Sequence, residues 1–350
     1  MKNIKFAIIG FGKMGKIRYD TLKSIDGCEI KWVCETDSQI ALPEDVKTTN
    51  KFTDIYNDRD LDAVCVCLPN YLIKDCVIKS LAHGKHVFSE KPPGRNLAEL
   101  EEMIEAETKH QPLKLMFGFN HRHHESMIYA KKLIDEGAYG RILWMRGRYG
   151  KSVDEKFFSN WRSKKELAGG GIFLDQGIHM LDLFLMFCEN FEDVKADVSN
   201  LYWHLDIEDN VFALFRNKKG QVASLHSTMT QWRHLFSLEI FLERGYITIN
   251  GLKTSSNTYG DEEMTIARNR TDPPAAMWTD EENKVFHTDR SWERELRVFV
   301  NSIRSDQEIP TGNTKDAFKL MKLVEKVYEQ KVDEERDPKQ VKINEIRSTT

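Results

Sequence analysis

Residues 3–15, NIKFAIIGFGKMG, join an apolar run to three glycines at Gly10, Gly12 and Gly15. A short run rich in isoleucine is typical of a strand that is buried on both faces of a parallel sheet. A helical pattern follows the glycines, so the order is strand, glycine turn, helix. The spacing G-x-G-x-x-G in that context predicts a loop that binds a dinucleotide.

Each glycine has its own expected role in this loop. The first permits the tight turn, the second lets the backbone approach a pyrophosphate, and the third allows the helix to pack closely on the strand. The N-terminal amides of the helix then face the phosphates. The residues predicted to contact the cofactor here are Gly10, Phe11, Gly12, Lys13, Met14 and Gly15.

An acidic residue ends the second predicted strand, EIKWVCE (29–35), 20 residues after Gly15. A carboxylate at Glu35 is placed to accept hydrogen bonds from the adenosine ribose and to repel a 2′-phosphate. No arginine follows directly, so the sequence favours NAD over NADP. The alternative is that Glu35 is a solvated residue at a strand end.

The chain changes its rhythm after about 120 residues. Residues 1–120 alternate apolar strands with helical patterns, which indicates a doubly wound parallel sheet, the Rossmann arrangement. Residues 121–335 contain successive hairpins and predict an α+β domain with an open, mostly antiparallel sheet. Residues 336–350 form a charged tail. The predicted fold class is α/β with two domains, and a cleft between them is the expected ligand site.

Composition excludes several other classes of protein. The 350 residues are 40% hydrophobic and carry a net charge of −4, with no basic patch typical of nucleic-acid or membrane-surface binding. No signal peptide is apparent, and no apolar segment approaches the about 20 residues of a membrane helix. The six cysteines form no C-x-x-C pair, which indicates a reduced, cytoplasmic protein.

Two more strand ends carry polar residues. The third strand ends in Leu68, Pro69 and Asn70, and the fourth runs into the turn EKPPG, which begins with Glu90 and Lys91. Ligands of open α/β sheets bind beyond the carboxyl ends of the strands, so all five residues are predicted to lie beside the cofactor. Lys91 is held in a stiff turn by two prolines. Its alternative role is a loop lysine paired with Glu90 in solvent.

The segment GGGIFLDQGIHMLD (169–182) predicts an apolar helix with polar groups at Asp175, His179 and Asp182. At 3.6 residues per turn these positions share one face. The glycine run offers close backbone approach to a ligand or a flexible entry to the helix. His179 is either a functional group or a core histidine bonded to a backbone carbonyl, and Asp182 is expected to be structural.

The motifs, taken in order, carry a resemblance. GFGKMG, PNY at 69–71, EKPPG, NWR at 160–162 and the GGGIFLDQGIHMLD segment together resemble the glucose–fructose oxidoreductase / inositol dehydrogenase / rhizopine-catabolism family, Gfo/Idh/MocA. The resemblance spans about residues 1–330. It implies NAD-dependent hydride transfer at a secondary hydroxyl, with Lys91, Asp175 and His179 as the catalytic set and the outer sheet face as an oligomer interface.

The chemistry of these three residues suggests a role for each. His179, with an ordinary pKa near 6.5, is the expected base, and Lys91 is the alternative proton acceptor. Lys91 otherwise stabilises charge on the oxygen, and Asp175 orients the substrate or the lysine. The implied substrate is a sugar, cyclitol or nucleotide-sugar, and the implied assembly is a homodimer or homotetramer. A non-enzymatic dinucleotide-binding regulator of the same fold is the alternative. The residues predicted to bind substrate are Arg122, Tyr149, Trp161 and Arg162, with Arg148 and Lys151 as further candidates.

Two departures from the family pattern stand out. Ile73 occupies a position where many relatives have histidine, and HRHH at 121–124 replaces a single arginine with an aromatic nearby. Consecutive histidines diverge in direction, and no cysteine or carboxylate pair completes a ligand set, so no metal site is expected.

Overall fold

The computed structural model describes residues 3–254, 256–270 and 272–330. The predicted charged tail, residues 336–350, lies outside these ranges. The described chain forms two sheets, one of six strands and one of eight. The expected α/β class, with a parallel sheet first and a mostly antiparallel sheet second, is confirmed.

The first sheet is parallel throughout, in the order β3-β2-β1-β4-β5-β6. Its strands are β1 (Ile4–Ile9), β2 (Cys28–Cys34), β3 (Lys47–Thr49), β4 (Ala63–Val66), β5 (His86–Glu90) and β6 (Leu115–Gly118). The sequence predicted all of them except β3, which has three exposed or half-buried residues and therefore no apolar pattern. Chain order reverses at β1 and β4, the place where such sheets bind ligands.

Four helices connect these strands: α1 (Lys13–Lys23), α2 (Phe52–Asn57), α3 (Asn70–Ala82) and α4 (Leu97–Lys109). Asn96 caps α4, as its side chain accepts a hydrogen bond of 2.9 Å from the amide of Glu99. The helix α2 was not predicted, because six residues are too few to show a helical period.

The second sheet has the order β14-β13-β12-β11-β7-β10-β9-β8. Its strands are β7 (Ile142–Ser152), β8 (Asp193–Ser199), β9 (Asn210–Arg216), β10 (Val222–Thr228), β11 (Thr230–Leu242), β12 (Gly245–Asn250), β13 (Glu262–Arg268) and β14 (Glu282–Phe286). Only the central pair β7 and β10 is parallel. The hairpins predicted to turn at residues 217–220 and 243–245 are β9–β10 and β11–β12.

The helices of this half are α5 (Glu125–Asp135), α6 (Lys165–Ala168), α7 (Ile178–Cys188), α8 (Ser291–Ser305) and α9 (Thr314–Tyr328). A π-helical turn, Phe173–Gly177, leads directly into α7. The helix α7 packs on the inner face of β7, where a Cβ added to Gly147 would lie 2.4 Å from the Met180 side chain. A glycine is needed there because any side chain would push the helix off the sheet.

The run from Lys165 to Cys188, which contains α6, the π turn and α7, is by length and composition alone apolar enough to cross a membrane. This does not contradict the prediction of no membrane segment, because buried core helices have the same composition. Its most apolar window is 83% buried inside the protein, as in the core helix of a globular domain.

The helix α8 returns to the first sheet. Its residues Leu296, Phe299 and Val300 are fully buried in one apolar cluster with Ile4 and Phe6 of β1. The predicted boundary at residue 120 therefore does not divide the hydrophobic cores. The helix α8 lies in the second segment, 121–335, but packs in the core of the parallel sheet.

A buried charge cluster joins α1, β5 and α8. The Arg18 side chain is fully buried, and its Nε donates to Glu90 Oε1 at 2.7 Å. Its Nη2 lies 2.7 Å from Glu295 Oε2, an ion pair without hydrogen-bond alignment. One arginine thus faces two buried carboxylates. Burial raises the pKa of Glu295 to about 7, despite the opposing effect of Arg18.

The pKa of Glu295 predicts a pH-dependent stability. Its folded value of about 7 exceeds the ordinary 4.5, so the folded state binds an extra proton between these values. This stabilisation is present below pH 4.5 and lost as pH rises through 7, a change of about 3 kcal/mol in the free energy of unfolding. Glu295→Gln should therefore gain stability relative to the native chain from pH 5 to pH 8 in urea unfolding.

Glu293→Gln is the matched control for this measurement. It lies on the same helix, but Arg290 and Arg297 lower the pKa of Glu293 to about 2. Its effect should therefore be flat over the same pH range. Parallel stability curves for Glu295→Gln and the native chain would show that Glu295 does not titrate there.

Candidate active site

Lys91 of the first domain contacts Asp175 of the second. Lys91 directly follows β5, and Asp175 lies in the π turn before α7. The Lys91 Nζ donates to the Asp175 carbonyl oxygen at 2.5 Å and to its Oδ1 at 3.2 Å. A π turn interrupts regular helical bonding and is frequent at functional sites. The contact brings a cation from the first domain against a carboxylate from the second.

Other cations also face this carboxylate. Lys151 Nζ donates to Asp175 Oδ2 at 2.5 Å, and Arg162 Nε lies 4.0 Å from Oδ1. Burial by itself would raise the pKa of Asp175, but Lys151 and Lys91 hold it well below 3.8. Burial lowers the pKa of Lys91 below 10.5, against the opposing effect of Asp175. Asp175 is thus a carboxylate surrounded by positive charge.

His179 lies one turn beyond Asp175 and is 5% exposed. Its ring stacks on His121, with centroids 3.9 Å apart and planes 19° apart. Its Nδ1 is buried and has no hydrogen-bond partner among the residues that the structure describes. The alternative of a core histidine bonded to a backbone carbonyl is therefore not what the structure has.

The expected pKa of His179 needs correction. Burial and the Lys91 ammonium hold the pKa of His179 well below 6.5, while Asp175 opposes them. The sequence argument used the ordinary value. In the fold, His179 is a neutral imidazole at neutral pH, able to accept a proton but a weaker base than a solvated histidine.

The glycine run before this turn serves packing. An added Cβ would lie 2.4 Å from the Arg95 carbonyl oxygen at Gly169, 2.0 Å from the Tyr328 hydroxyl at Gly170 and 2.1 Å from the Glu208 carbonyl oxygen at Gly171. No such approach is open to a larger residue. Two of these atoms are backbone oxygens and one is a side-chain hydroxyl, so the glycines are needed for close packing, and contact of this run with a ligand stays a prediction.

Glu208 was missed by the sequence reasoning. Its buried carboxylate accepts hydrogen bonds from the amides of Gly171 at 2.8 Å and Phe173 at 3.1 Å, and from the Tyr328 hydroxyl at 2.9 Å. It therefore caps the turn that carries Asp175. A cap that lies 37 residues from the amide it binds leaves no local sequence signal.

The glycine loop has the shape that a dinucleotide requires. Gly10 has φ +90°, and its added Cβ would lie 2.6 Å from the Cys67 carbonyl oxygen. Gly15 packs on the strand, since its Cβ would lie 2.1 Å from the Gly10 carbonyl oxygen. A Cβ at Gly12 would meet nothing within 4 Å, so the space above the α1 N-terminus is open. This open, uncapped helix end fits a pyrophosphate.

The other predicted cofactor residues line the same sheet edge. Glu35 accepts from the Phe11 amide at 2.6 Å, which ties the loop to the end of β2. Asn70 is buried and donates to the Ala168 carbonyl oxygen at 2.7 Å, bonding the turn after β4 to α6. Lys13 is exposed, while Met14, Leu68 and Pro69 are half-buried. The Glu90 carboxylate instead accepts a hydrogen bond from Arg18 Nε at 2.7 Å.

Two predicted substrate residues are hydrogen-bonded to other side chains of the protein. Arg122 donates to Asp182 Oδ1 and Oδ2, at 2.5 and 2.7 Å, and to Asp316 Oδ2 at 2.6 Å. Its donors are thus committed to α7 and α9, and Asp182 has the structural role expected of it. Tyr149 is 3% exposed, with its hydroxyl bonded to His121 Nε2 at 2.9 Å. These bonds do not support a substrate contact at either residue, and their substrate binding stays an untested prediction.

Trp161 and Arg162 do lie at the cleft. The Arg162 guanidinium stacks on the Trp161 ring at 4.4 Å, and Trp161 meets Tyr71 edge-on at 6.5 Å. Tyr71 follows Asn70, so the pair sits beside the turn after β4. Lys151 joins Asp175, whereas Arg148 is exposed on the opposite face of β7.

His121 and His124 have different main partners, although their rings are in contact at 5.6 Å. His121 stacks on His179, whereas His124 Nδ1 bonds Glu262 Oε2 at 2.7 Å. Within residues 3–254, 256–270 and 272–330, no group of three or more His, Cys, Asp or Glu side chains is arranged to hold a metal ion.

Several known proteins are similar to this chain in sequence. Levoglucosan dehydrogenase of Pseudarthrobacter phenanthrenivorans is 29% identical over 58% of this chain and 59% of its own length. A 2,7-anhydro-N-acetylneuraminate hydratase of Mediterraneibacter gnavus is 30% identical over 53% and 50%. These two alignments span 59% and 50% of the relatives' own lengths. Myo-inositol 2-dehydrogenase of Thermotoga maritima is 27% identical over 74% and 79%.

Solved structures share the whole fold. A levoglucosan dehydrogenase in complex with NADH and levoglucosan superposes with a TM-score of 0.81 at 22% identity, covering 94% of this chain and 97% of that one. A 3-ketoreductase from Actinomadura kijaniata in complex with NADP and TDP-benzene also has a TM-score of 0.81, at 20% identity, covering 94% and 98%. At this identity the likeness concerns the fold.

Two family models match the chain directly. Residues 4–119 match the oxidoreductase family with an NAD-binding Rossmann fold, and residues 127–248 match the GFO/IDH/MocA C-terminal domain. The two matches together cover more than half of the sequence, in the order that the motifs indicate. The chain therefore belongs to the Gfo/Idh/MocA family of oxidoreductases.

Proposed function

We propose that this protein is an NAD-dependent dehydrogenase that acts on a secondary hydroxyl of a sugar or cyclitol. The observation that carries the proposal is the meeting of Lys91, Asp175 and His179 at the edge of the parallel sheet where the glycine loop opens. Perturbed titratable groups that converge in a cleft are typical of catalytic sites. When bound, the nicotinamide supplies the hydride acceptor or donor.

In the proposed reaction His179 and Lys91 act on the substrate hydroxyl. Oxidation of an alcohol requires a base for the hydroxyl proton, and neutral His179 has a ring nitrogen able to accept it. The Lys91 ammonium donates to the same oxygen and stabilises its developing negative charge. Asp175 holds the ammonium in place through its carbonyl and carboxylate oxygens. In the reverse direction protonated His179 returns the proton to the same oxygen, and its lowered pKa makes the imidazolium a ready donor, while Lys91 still holds that oxygen.

The relatives suggest the substrate class. Their names refer to levoglucosan, a sugar derivative, and to myo-inositol, a cyclitol. We infer that Trp161 and Arg162 contact the substrate, the cofactor, or both, since the pair lies beside Asp175 and the turn after β4. A planar guanidinium and an indole suit hydroxyl or anion recognition and stacking.

The experiment that tests the proposal is a panel of aldoses, uronic acids, inositols and nucleotide-sugars, with NAD and with NADP. Absorbance of the reduced nicotinamide reports turnover. Turnover on a sugar or cyclitol supports a dehydrogenase. Tight NAD binding without turnover on any member would favour the alternative, a dinucleotide-binding regulator of the same fold.

The role of Lys91 gives the first prediction that follows from the proposed function. Lys91→Met removes the ammonium and should lower kcat about 10²–10⁴-fold on any substrate that the panel identifies. Lys74→Met is the control, because Lys74 is a surface lysine paired with Glu102 on the neighbouring helices. Unchanged turnover by Lys91→Met would exclude the assigned role.

Cofactor choice gives the second prediction. We propose that Glu35 favours NAD, because its carboxylate stands at the end of β2 beside the loop. Glu35→Gln keeps an oxygen that can accept from Phe11 but loses the charge. In this variant the ratio of NAD affinity to NADP affinity should fall about tenfold, which corresponds to about 1.4 kcal/mol of binding free energy. Calorimetric titration with both dinucleotides measures the ratio, and an unchanged ratio would argue against the contact.

Assembly gives the third prediction. The outer face of the second sheet exposes large apolar side chains, including Trp144, Phe212 and Leu214. We propose that this face forms a homodimer or homotetramer, in a cytoplasmic protein, since exposed apolar patches mark interfaces. Leu214→Lys should reduce the mass in light scattering, whereas Leu201→Lys, at an exposed loop residue, should not. Equal masses for Leu214→Lys and the native chain would contradict this interface.

A further inference from the structure

His121 is the residue of the HRHH segment that lies against the site. It stands in a short 3₁₀ turn, Asn120–His123, where the chain leaves the parallel sheet for the second domain. Its ring is parallel to that of His179, with a centroid separation of 3.9 Å and an angle of 19°. The separation is that of direct ring contact, so His121 covers one face of the proposed base.

Both nitrogens of His121 have partners. Nδ1 lies 3.1 Å from Asn120 Oδ1, and Nε2 lies 2.9 Å from the Tyr149 hydroxyl. Asn120 in turn donates from Nδ2 to Ser291 Oγ at 3.1 Å, which leaves its oxygen facing His121. An amide oxygen only accepts, so His121 carries its proton on Nδ1 and accepts from Tyr149. The ring is therefore oriented by bonds to β7 and, through Asn120, to α8.

His179 has no comparable anchor. Its buried Nδ1 lacks a hydrogen-bond partner among the described residues. Catalytic histidines are commonly oriented by a hydrogen bond from the ring nitrogen that does not react. Here the ring is enclosed by aromatic groups instead: His121 on its face, Phe119 edge-on at 6.3 Å and Tyr149 at 6.2 Å.

We propose that His121 is a positioning residue that holds the His179 ring in place by stacking and keeps water from its buried face. The proposal rests on the proposed function, in which His179 accepts the substrate proton. Stacking replaces the hydrogen bond that would otherwise fix the orientation of a catalytic histidine. His121 itself does not need to touch the substrate.

The charges around His179 agree with this arrangement. The titratable groups that face it are Lys91 after β5, Asp175 in the π turn, His121 and His124 in the linker, and Tyr149 of β7. Burial lowers the pKa of His121 well below 6.5, and so does its neighbour His179. Two stacked imidazoles that both stay neutral do not repel each other. Loss of His121 would let water reach His179 and raise its pKa.

Three variants test the stacking. His121→Phe keeps an aromatic ring on His179, His121→Ala removes it, and His123→Ala removes a buried histidine of the same turn that has no ring contact with His179 among the described residues. On the panel substrate with the highest turnover, His121→Ala should lose about 10–100-fold in kcat, as expected for a misplaced catalytic group. The other two variants should stay within a few-fold of the native enzyme.

The pH profile separates positioning from a loss of stability. In His121→Ala the acid limb of kcat/KM should move to higher pH, because a hydrated His179 protonates more readily. It should not move in His123→Ala. If His121→Phe does not fold, the double variant His121→Phe with Tyr149→Phe replaces it in the test. The double variant keeps the stacked ring and removes the Tyr149 hydroxyl that His121 would otherwise leave unpaired.

A readout without turnover uses selectively ¹³C-labelled histidine. The Cε1 resonance of His179, assigned by its loss in His179→Asn, is followed against pH in the NAD-bound protein. A higher titration midpoint of His179 in His121→Ala, with the native midpoint in His121→Phe, supports the positioning role of His121. This holds even if no panel compound reacts, and in that case only the proposed function fails. Native titration and native kcat in His121→Ala, or equal losses in both His121 variants, would overturn it.

Discussion

The site depends on one contact, between the Lys91 ammonium and the Asp175 carboxylate. Lys91 directly follows β5 of the first sheet, and Asp175 lies in the π turn before α7 of the second domain. Lys91 and Asp175 are both largely removed from water, and a charge in such a place is stable only with a partner. Each domain supplies one of them, so neither half contains the arrangement alone. The cations Lys151 and Arg162 strengthen the field at Asp175, and that field keeps the carboxylate ionised. His179, one turn away, stays neutral in the same surroundings.

Tight backbone packing places that carboxylate. Three glycines allow the chain to pass within contact of Arg95, Tyr328 and Glu208, and the Glu208 carboxylate then caps the turn. Asn70 bonds the preceding helix α6 to the cofactor side of the cleft. The helix α8 crosses back to the parallel sheet and closes a second connection through Arg18. Several short contacts between domains therefore hold the reacting groups, as precise positioning requires.

Motifs at strand ends were predictable because their geometry is local. The glycine loop, Glu35, Asn70 and Lys91 follow strands whose carboxyl ends meet at one edge whenever a parallel sheet forms. The partners of Tyr149 and Arg122 could not be predicted, because a polar side chain near a site can be hydrogen-bonded to another buried residue. Such partners lie far along the chain: Asp316 is 194 residues from Arg122. The catalytic roles of Lys91, Asp175 and His179 stay predictions until the variants are measured.

The order of apolar runs, glycines and helical patterns was enough to predict two sheets of different kinds, and the ordered motifs indicated the family by resemblance. These features depend on periodicity and on the conformational freedom of glycine, which are properties of neighbouring residues. The protonation state of His179, its stack on His121, the Glu208 cap and the return of α8 depended on tertiary structure. Each arises from burial and from contacts between distant segments, and desolvation and long-range pairing exist only once the chain has folded.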